Sequence, residues 1–132
     1  MRTFVLVAAM VAAMALALTG ASRAQDAAAG EGVFKRYCLP CHDAGPGAKA
    51  KLGPPLNGLD GRQAGTIAGF NYSEANKKSG ITWHADTFAD YIKSPMQKMP
   101  GTRMAFAGLR NEKDIVNLWA YLMQFDEQGN KR

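Results

Sequence analysis

The sequence predicts an all-α fold, and three observations predict it. Apolar residues recur at three- and four-residue intervals near the start of the mature region and near its end, the spacing that lines them along one helix face. No strand pattern flanks the two cysteines, Cys38 and Cys41, or appears in the stretch that follows them. That stretch, Asp43 to Gly69, is rich in glycine and proline and has no period at all, so it reads as loop. A loop of that length inside a small domain implies that something organises it.

The first element is a processing segment. Arg2 supplies the positive charge, and Phe4 to Leu18 is an apolar run of fifteen residues. Ser22 and Ala24 fit a signal-peptidase site, which makes residues 1–24 a cleaved signal peptide and Gln25 the first mature residue; cleavage after Ala21 is the alternative. A membrane span wants about 20 apolar residues, so the run is read as a signal and not as an anchor. Residues 25–132 then form one small domain, at the low end of length for a single hydrophobic core. Loss of Arg2 and Arg23 takes the formal charge from +5 to +3. That modest basic excess does not argue for nucleic acid; it suits a protein steered toward acidic partner surfaces.

Ala27 to Tyr37 is expected to be a short amphipathic helix, with Gly30, Val33, Phe34 and Tyr37 on one face. Glycine is a poor helix residue, so Gly30 on that face implies that another backbone comes close. Phe70 to Ser79 has room for one helical turn before Gly80 stops it. Thr82 is expected to cap a helix over Trp83 to Lys93 that turns Phe88, Tyr91 and Ile92 to one side, with Pro95 just past its end. Met96 to Gly108 reads as a second loop. The last helix has the clearest pattern. Asn111 is its N-cap, Glu112 and Asp114 put negative charge in its first turn, and Ile115, Leu118, Trp119 and Leu122 make an apolar stripe. Gly129 marks a fraying end.

The chemistry lies in Cys38-Leu39-Pro40-Cys41-His42. C-x-x-C-H is the attachment signature of c-type haem. Two thiols at that spacing add to the two vinyl groups on one porphyrin edge, and the adjoining imidazole becomes an axial ligand of the iron. A redox disulfide would expect a βαβ surround. A closed zinc site needs four ligands, whereas these are the only cysteines and His84 is the only other histidine. A porphyrin would also organise the long loop and add apolar volume to a small core.

The sixth coordination position decides the function. A protein side chain there leaves electron transfer as the natural role; an open position permits gas binding or peroxidase chemistry. The candidates are Met96, Met99, Met104, Met123 and His84. Met123 sits in the apolar last helix and reads as a core filler. Met96 and Met99, beside Pro95 and Pro100, read as packing residues or partner contacts. His84 reads as a solvated or capping histidine. Met104, on an irregular loop after the Pro100-Gly101 turn, is favoured, a choice the resemblance below shares. Imidazole with thioether raises the potential, because a soft neutral sulfur does little to stabilise the ferric charge.

Beyond the cysteine motif, the chain carries Gly53-Pro54, Gly61-Arg62, Gly69-Phe70-Asn71-Tyr72, Ala75-Asn76, Gly80-Ile81-Thr82-Trp83 and Pro100-Gly101-Thr102-Arg103-Met104. With these motifs it resembles the class I cytochromes c, most closely the bacterial cytochrome c2 group, near mitochondrial cytochrome c. The likeness covers nearly all of the mature region, and the export signal tilts it toward cytochrome c2.

The resemblance implies the small cytochrome c fold: crossing N- and C-terminal helices, Gly30 and Phe34 meeting Leu118 and Tyr121, and loops wrapped around one haem c bound through Cys38 and Cys41. It implies that His42 and Met104 hold the iron. Pro54 would accept from the His42 ring, and Tyr91 would donate to the Met104 sulfur, with Asn76 and Thr102 in a small polar network nearby. Arg62, Tyr72 and Trp83 would satisfy the haem propionates.

The implied function is that of a soluble, monomeric, periplasmic one-electron carrier and not an enzyme. It would run between a bc1-type donor and a terminal oxidase, reductase or photosynthetic reaction centre. Docking would use a basic haem edge that includes Lys49, Lys51, Lys98, Arg103, Arg110 and Lys113. That edge is thinner than in mitochondrial relatives, since Met96 and Gln97 stand where two lysines would be. The rival readings are a haem protein with a labile sixth ligand, a dedicated acceptor for one dehydrogenase, and a haem-dependent module of a larger assembly.

Overall fold

Helices form where caps and apolar spacing coincide. The computed structural model describes residues 25–132, and the expected signal segment lies outside them. The elements are α1 (Ala27–Tyr37), α2 (Glu74–Lys77), α3 (Ala85–Lys93), α4 (Pro95–Lys98) and α5 (Glu112–Leu122). No strand occurs among the described residues; two isolated bridges, Gln63 with Thr82 and Phe125 with Lys131, are the only extended pairings there. The architecture is all-α, as the sequence predicts.

Asp26 caps α1 by accepting from the Ala29 amide at 2.9 Å, and Asn111 caps α5 by accepting from the amides of Lys113 and Asp114. Each cap supplies an acceptor for first-turn N–H groups that have no partner within the helix. These two helices make the most extensive helix–helix contact among the described residues. Gly30 lets them approach: a Cβ there would sit 1.9 Å from the Asn117 carbonyl oxygen and 2.9 Å from the Tyr121 Cβ. The close neighbour is thus the Asn117 backbone and not the Leu118 side chain. Asn117 also accepts from the Asp26 amide at 3.0 Å, and the rings of Phe34 and Tyr121 pack 5.3 Å apart. Ile115, Leu118 and Leu122 of α5 join Phe34 of α1 and Phe88, Tyr91 and Ile92 of α3 in one buried core.

Three expectations need correction. Helix α3 begins at Ala85, with His84 in the N-cap position, and Thr82 and Trp83 lie outside it. Their backbone is already paired with residues 61–64: Gly61 donates to Trp83, Trp83 to Arg62, and Ala64 to Ile81. A segment whose amides and carbonyls are engaged across the chain cannot also enter a helical ladder. Thr87 closes the junction, accepting from the His84 amide and donating to the Thr82 carbonyl.

Pro95, expected only to follow a helix, opens the one-turn α4 as its first residue, where a missing N–H costs nothing. This shortens the second loop. Gly129 is not a frayed end. It is buried in a C-terminal turn, where a Cβ would lie 2.1 Å from the Gly45 carbonyl oxygen.

Candidate functional site

A cavity of about 360 Å³ opens between α1, α3, α5 and the loops. Cys38, Cys41, His42, Pro54, Arg62, Tyr72, Asn76, Trp83, Tyr91, Thr102 and Met104 all line it, so every residue expected to hold or surround the haem comes to one place. Met96, Met99, Met123 and His84 do not line it. Met99 is 2 % exposed and belongs to the core, whereas Met96 is 56 % exposed. His84 lies on the surface with its Nδ1 2.9 Å from Asp60 Oδ1. Leu59, Phe88, Ile92 and Phe106 are among its apolar wall residues; Phe88 and Ile92 were legible as the apolar face of a helix, and Leu59 and Phe106 lie in loops that have no period.

The end of α1 and the turn after it present the cysteine motif. The Cys38 amide donates to Phe34, and the His42 amide donates back to Cys38 at 2.8 Å. Burial, with Cys41 nearby, pushes the Cys38 thiol up to about 12, so it is protonated at neutral pH. His42 Nδ1 donates to the Pro54 carbonyl at 2.8 Å, which fixes the ring and leaves Nε2 as the available donor to a metal. Burial lowers the His42 pKa, opposed by the Pro54 bond and assisted by the positive charges of Lys51 and Arg62. The imidazole is therefore held neutral, the form that binds metal. Gly53 lies against the ring; a Cβ there would be 2.3 Å from Cε1 of His42.

The loop after α4 brings in Met104. Tyr91, on α3, donates its hydroxyl proton to the Met104 sulfur at 3.2 Å. Thr102 accepts from the Met104 amide at 3.2 Å, which fixes the backbone at the same point. Burial raises the Tyr91 pKa, partly offset by a hydrogen bond with Thr102, so the phenol remains a donor. Asn76 Oδ1 is buried without a partner among the described residues, a polar atom available to a group or a water within the cavity.

Arg62 is partly buried and faces no carboxylate within salt-bridge reach among the described residues; its guanidinium donates to the carbonyls of Asn57 at 2.7 Å and Pro55 at 3.4 Å. The Tyr72 hydroxyl accepts from the Ile67 amide at 3.2 Å, which leaves its proton to donate. A half-buried cation beside a free hydroxyl proton suits an anionic group such as a propionate. Two thiols, an imidazole with one nitrogen available, a thioether, apolar walls and this anion-binding corner fit a haem.

The cations of the expected docking edge are all exposed. Arg103 lines the cavity and donates to the Asn71 carbonyl. Lys51 donates to the Leu39 carbonyl. Lys98 is compensated by Asp90 at 2.5 Å, whereas Lys49, Lys51, Arg103, Arg110 and Lys113 have no carboxylate partner among the described residues. Leu52, 81 % exposed, stands at the rim.

A family model described as cytochrome c oxidase, cbb3-type, subunit III matches residues 25–122. Cytochrome c2 of Blastochloris viridis is 58% identical over 109 residues, covering 83% of this chain and 85% of that one. Cytochrome c2 of Rhodoplanes tepidamans is 57% identical and is covered over its whole length by 82% of this chain. Cytochrome c-550 of Bradyrhizobium diazoefficiens is 57% identical over 78% of this chain and 75% of its own.

Proposed function

Because the chain belongs to the class I cytochromes c, in the group of bacterial cytochrome c2, we propose that it is a soluble periplasmic carrier running between a bc1-type donor and an oxidase, reductase or photosynthetic reaction centre. Members of this group carry electrons and are not enzymes, and the cofactor is one haem c held through Cys38 and Cys41. Cleavage after Ala24 would release residues 25–132 into the periplasm.

The supporting observation is that one cavity receives both a neutral imidazole, anchored by Pro54, and a thioether, anchored by Tyr91. His42 and Met104 would hold the iron from these two anchors. The haem supplies a single electron that can be added or removed. The chain's part is to keep both ligands in place in either state, which holds the reorganisation on transfer small. Pro54 does this by bonding His42 at Nδ1, away from the nitrogen available to the metal, and Tyr91 by donating to the Met104 sulfur itself, which keeps a further lone pair for the metal. Asn76 and Thr102 would steady the Met104 side, and Arg62, Tyr72 and Trp83 would balance the propionates.

A carbon monoxide titration of the reduced protein at neutral pH tests the reading. The expected result is an unchanged low-spin spectrum; ready uptake of the gas would replace electron carriage with a ligand-binding or peroxidase role. Met99→Ala is expected to leave the sulfur-to-iron far-red band of the oxidised protein intact, because Met99 is a core residue away from the cavity, while lowering stability by roughly 2–5 kcal/mol.

Docking would use the uncompensated cations around the rim. Reversing Lys51 to Glu is expected to slow electron transfer to an acidic membrane partner and flatten its salt dependence, since rim charges act mainly on association. Lys98→Glu is expected to do less, because Asp90 already offsets Lys98. Stopped-flow rates over a range of ionic strength separate the two; equal effects would place docking elsewhere.

A further inference from the structure

The segment that carries His42 and the segment that carries Pro54 are laced together over four successive levels. Gly53 donates to Cys41 at 2.8 Å. His42 Nδ1 donates to Pro54 at 2.8 Å. Leu56 donates to Asp43 at 2.9 Å. The fourth level is made by a side chain: Asn57 accepts from the Gly45 amide at 2.7 Å and donates to the Gly45 carbonyl at 2.9 Å. Asn57 and Gly45 each lie three residues beyond one partner of the His42–Pro54 bond. The side chain therefore closes the ladder in which that bond is a rung.

The surroundings of this clasp leave it no alternative partners and little room. Asn57 is 7 % exposed, and its own carbonyl accepts from Arg62 at 2.7 Å. The C-terminal turn presses on it from outside. A Cβ on Gly129 would lie 2.1 Å from the Gly45 carbonyl oxygen and 2.6 Å from Asn57 Nδ2, and Gly129 has φ +83°, a conformation that itself favours glycine. The Gly58 amide donates to the Phe125 carbonyl, and the Phe125 ring lies 3.5 Å from where a Gly45 Cβ would be.

We propose that Asn57 is a positioning residue for the iron site: its paired bonds to Gly45, backed by the Gly129 turn, set the strength of the His42–Pro54 hydrogen bond and through it the reduction potential. A bond at Nδ1 makes the imidazole a stronger donor and favours the ferric state. A looser ladder weakens the bond and raises the potential. The inference rests on the reading of His42 as an iron ligand.

The test compares Asn57→Ala, the milder Asn57→Ser and the control Ile115→Val in the haem-loaded protein. Ile115 is buried in the α1–α5 core and does not line the cavity. Three readouts are taken: urea unfolding, the proton resonance of His42 Nδ1–H in the reduced protein, and the midpoint potential. Both Asn57 variants are expected to move the resonance upfield and raise the potential, Ala more than Ser. Ile115→Val is expected to lower the unfolding midpoint and leave the other two unchanged. If the Asn57 variants lose stability but keep the wild-type resonance and potential, Asn57 only holds the fold and the proposal is overturned. A wild-type protein lacking a low-spin spectrum would instead remove the reading of His42 on which it stands.

Discussion

Met104→Ala abolishes the far-red band of the oxidised protein and lets the reduced protein bind carbon monoxide. The cavity offers no second thioether among the described residues: Met99 is sealed in the core, and Met96 and Met123 do not reach the lining. His84 cannot substitute, being held at the surface beside Asp60. The potential falls by a substantial part of the about 0.8 V that axial ligands span in haem proteins, because oxygen donors that replace sulfur stabilise ferric iron. Tyr91 loses its acceptor at the same time, and an unpaired buried hydroxyl adds about 1–3 kcal/mol of destabilisation. Absorption spectra and a redox titration check this result. Retention of the band by Met104→Ala would transfer the ligand role to another residue.

Gly30→Ala is expected to be strongly destabilising although it adds only one methyl group. Helix propensity alone favours alanine over glycine by about 1 kcal/mol. The new Cβ, however, would sit 1.9 Å from the Asn117 carbonyl oxygen and 2.5 Å from its carbon. These are backbone atoms of the facing helix and cannot rotate away, so α1 and α5 must separate along their whole contact. Overpacking of this kind costs about 1–3 kcal/mol, occasionally more, and here it acts on the contact that joins the first and last helices of the described residues.

A net loss of about 2 kcal/mol follows, which lowers Tm by roughly 10 °C in a domain of this size. Gly32, two residues on and on the opposite, exposed face of α1, provides the internal control. A Cβ there meets nothing within 4 Å, so Gly32→Ala is expected to raise stability by up to about 1 kcal/mol. Thermal unfolding of the two haem-loaded variants decides the matter; similar midpoints for both would mean that the helices do not meet at Gly30.

Much of this was legible because its cause is local. The boundaries of α1 and α5 follow from caps and spacing written within a few residues. Gly30 stood out as a glycine on an apolar face, although its partner, the Asn117 backbone, was not visible. Where the reading slipped, the cause was distant. Thr82 and Trp83 look like a helix start until residues 61–64 pair with them. Gly129 looks like a loose end until Gly45 and Asn57 are found against it. Asn57 gave no signal, since a lone asparagine between Leu56 and Gly58 has no meaning until Gly45 is beside it.

By itself the sequence determined the cofactor and its attachment, because Cys38, Cys41 and His42 are neighbours and carry their chemistry within a single turn of chain. It also determined that the fold is helical, since periodicity and capping act over a few residues. The sequence favoured Met104 among the four methionines of residues 25–132; that it alone of them shares a cavity with His42, and how firmly the His42 ring is held, were visible only in the tertiary structure. Both depend on side chains separated by 12 to 62 residues of loop and helix, and the energy that brings them together comes from burying α1, α3 and α5 around one core, not from the segments themselves.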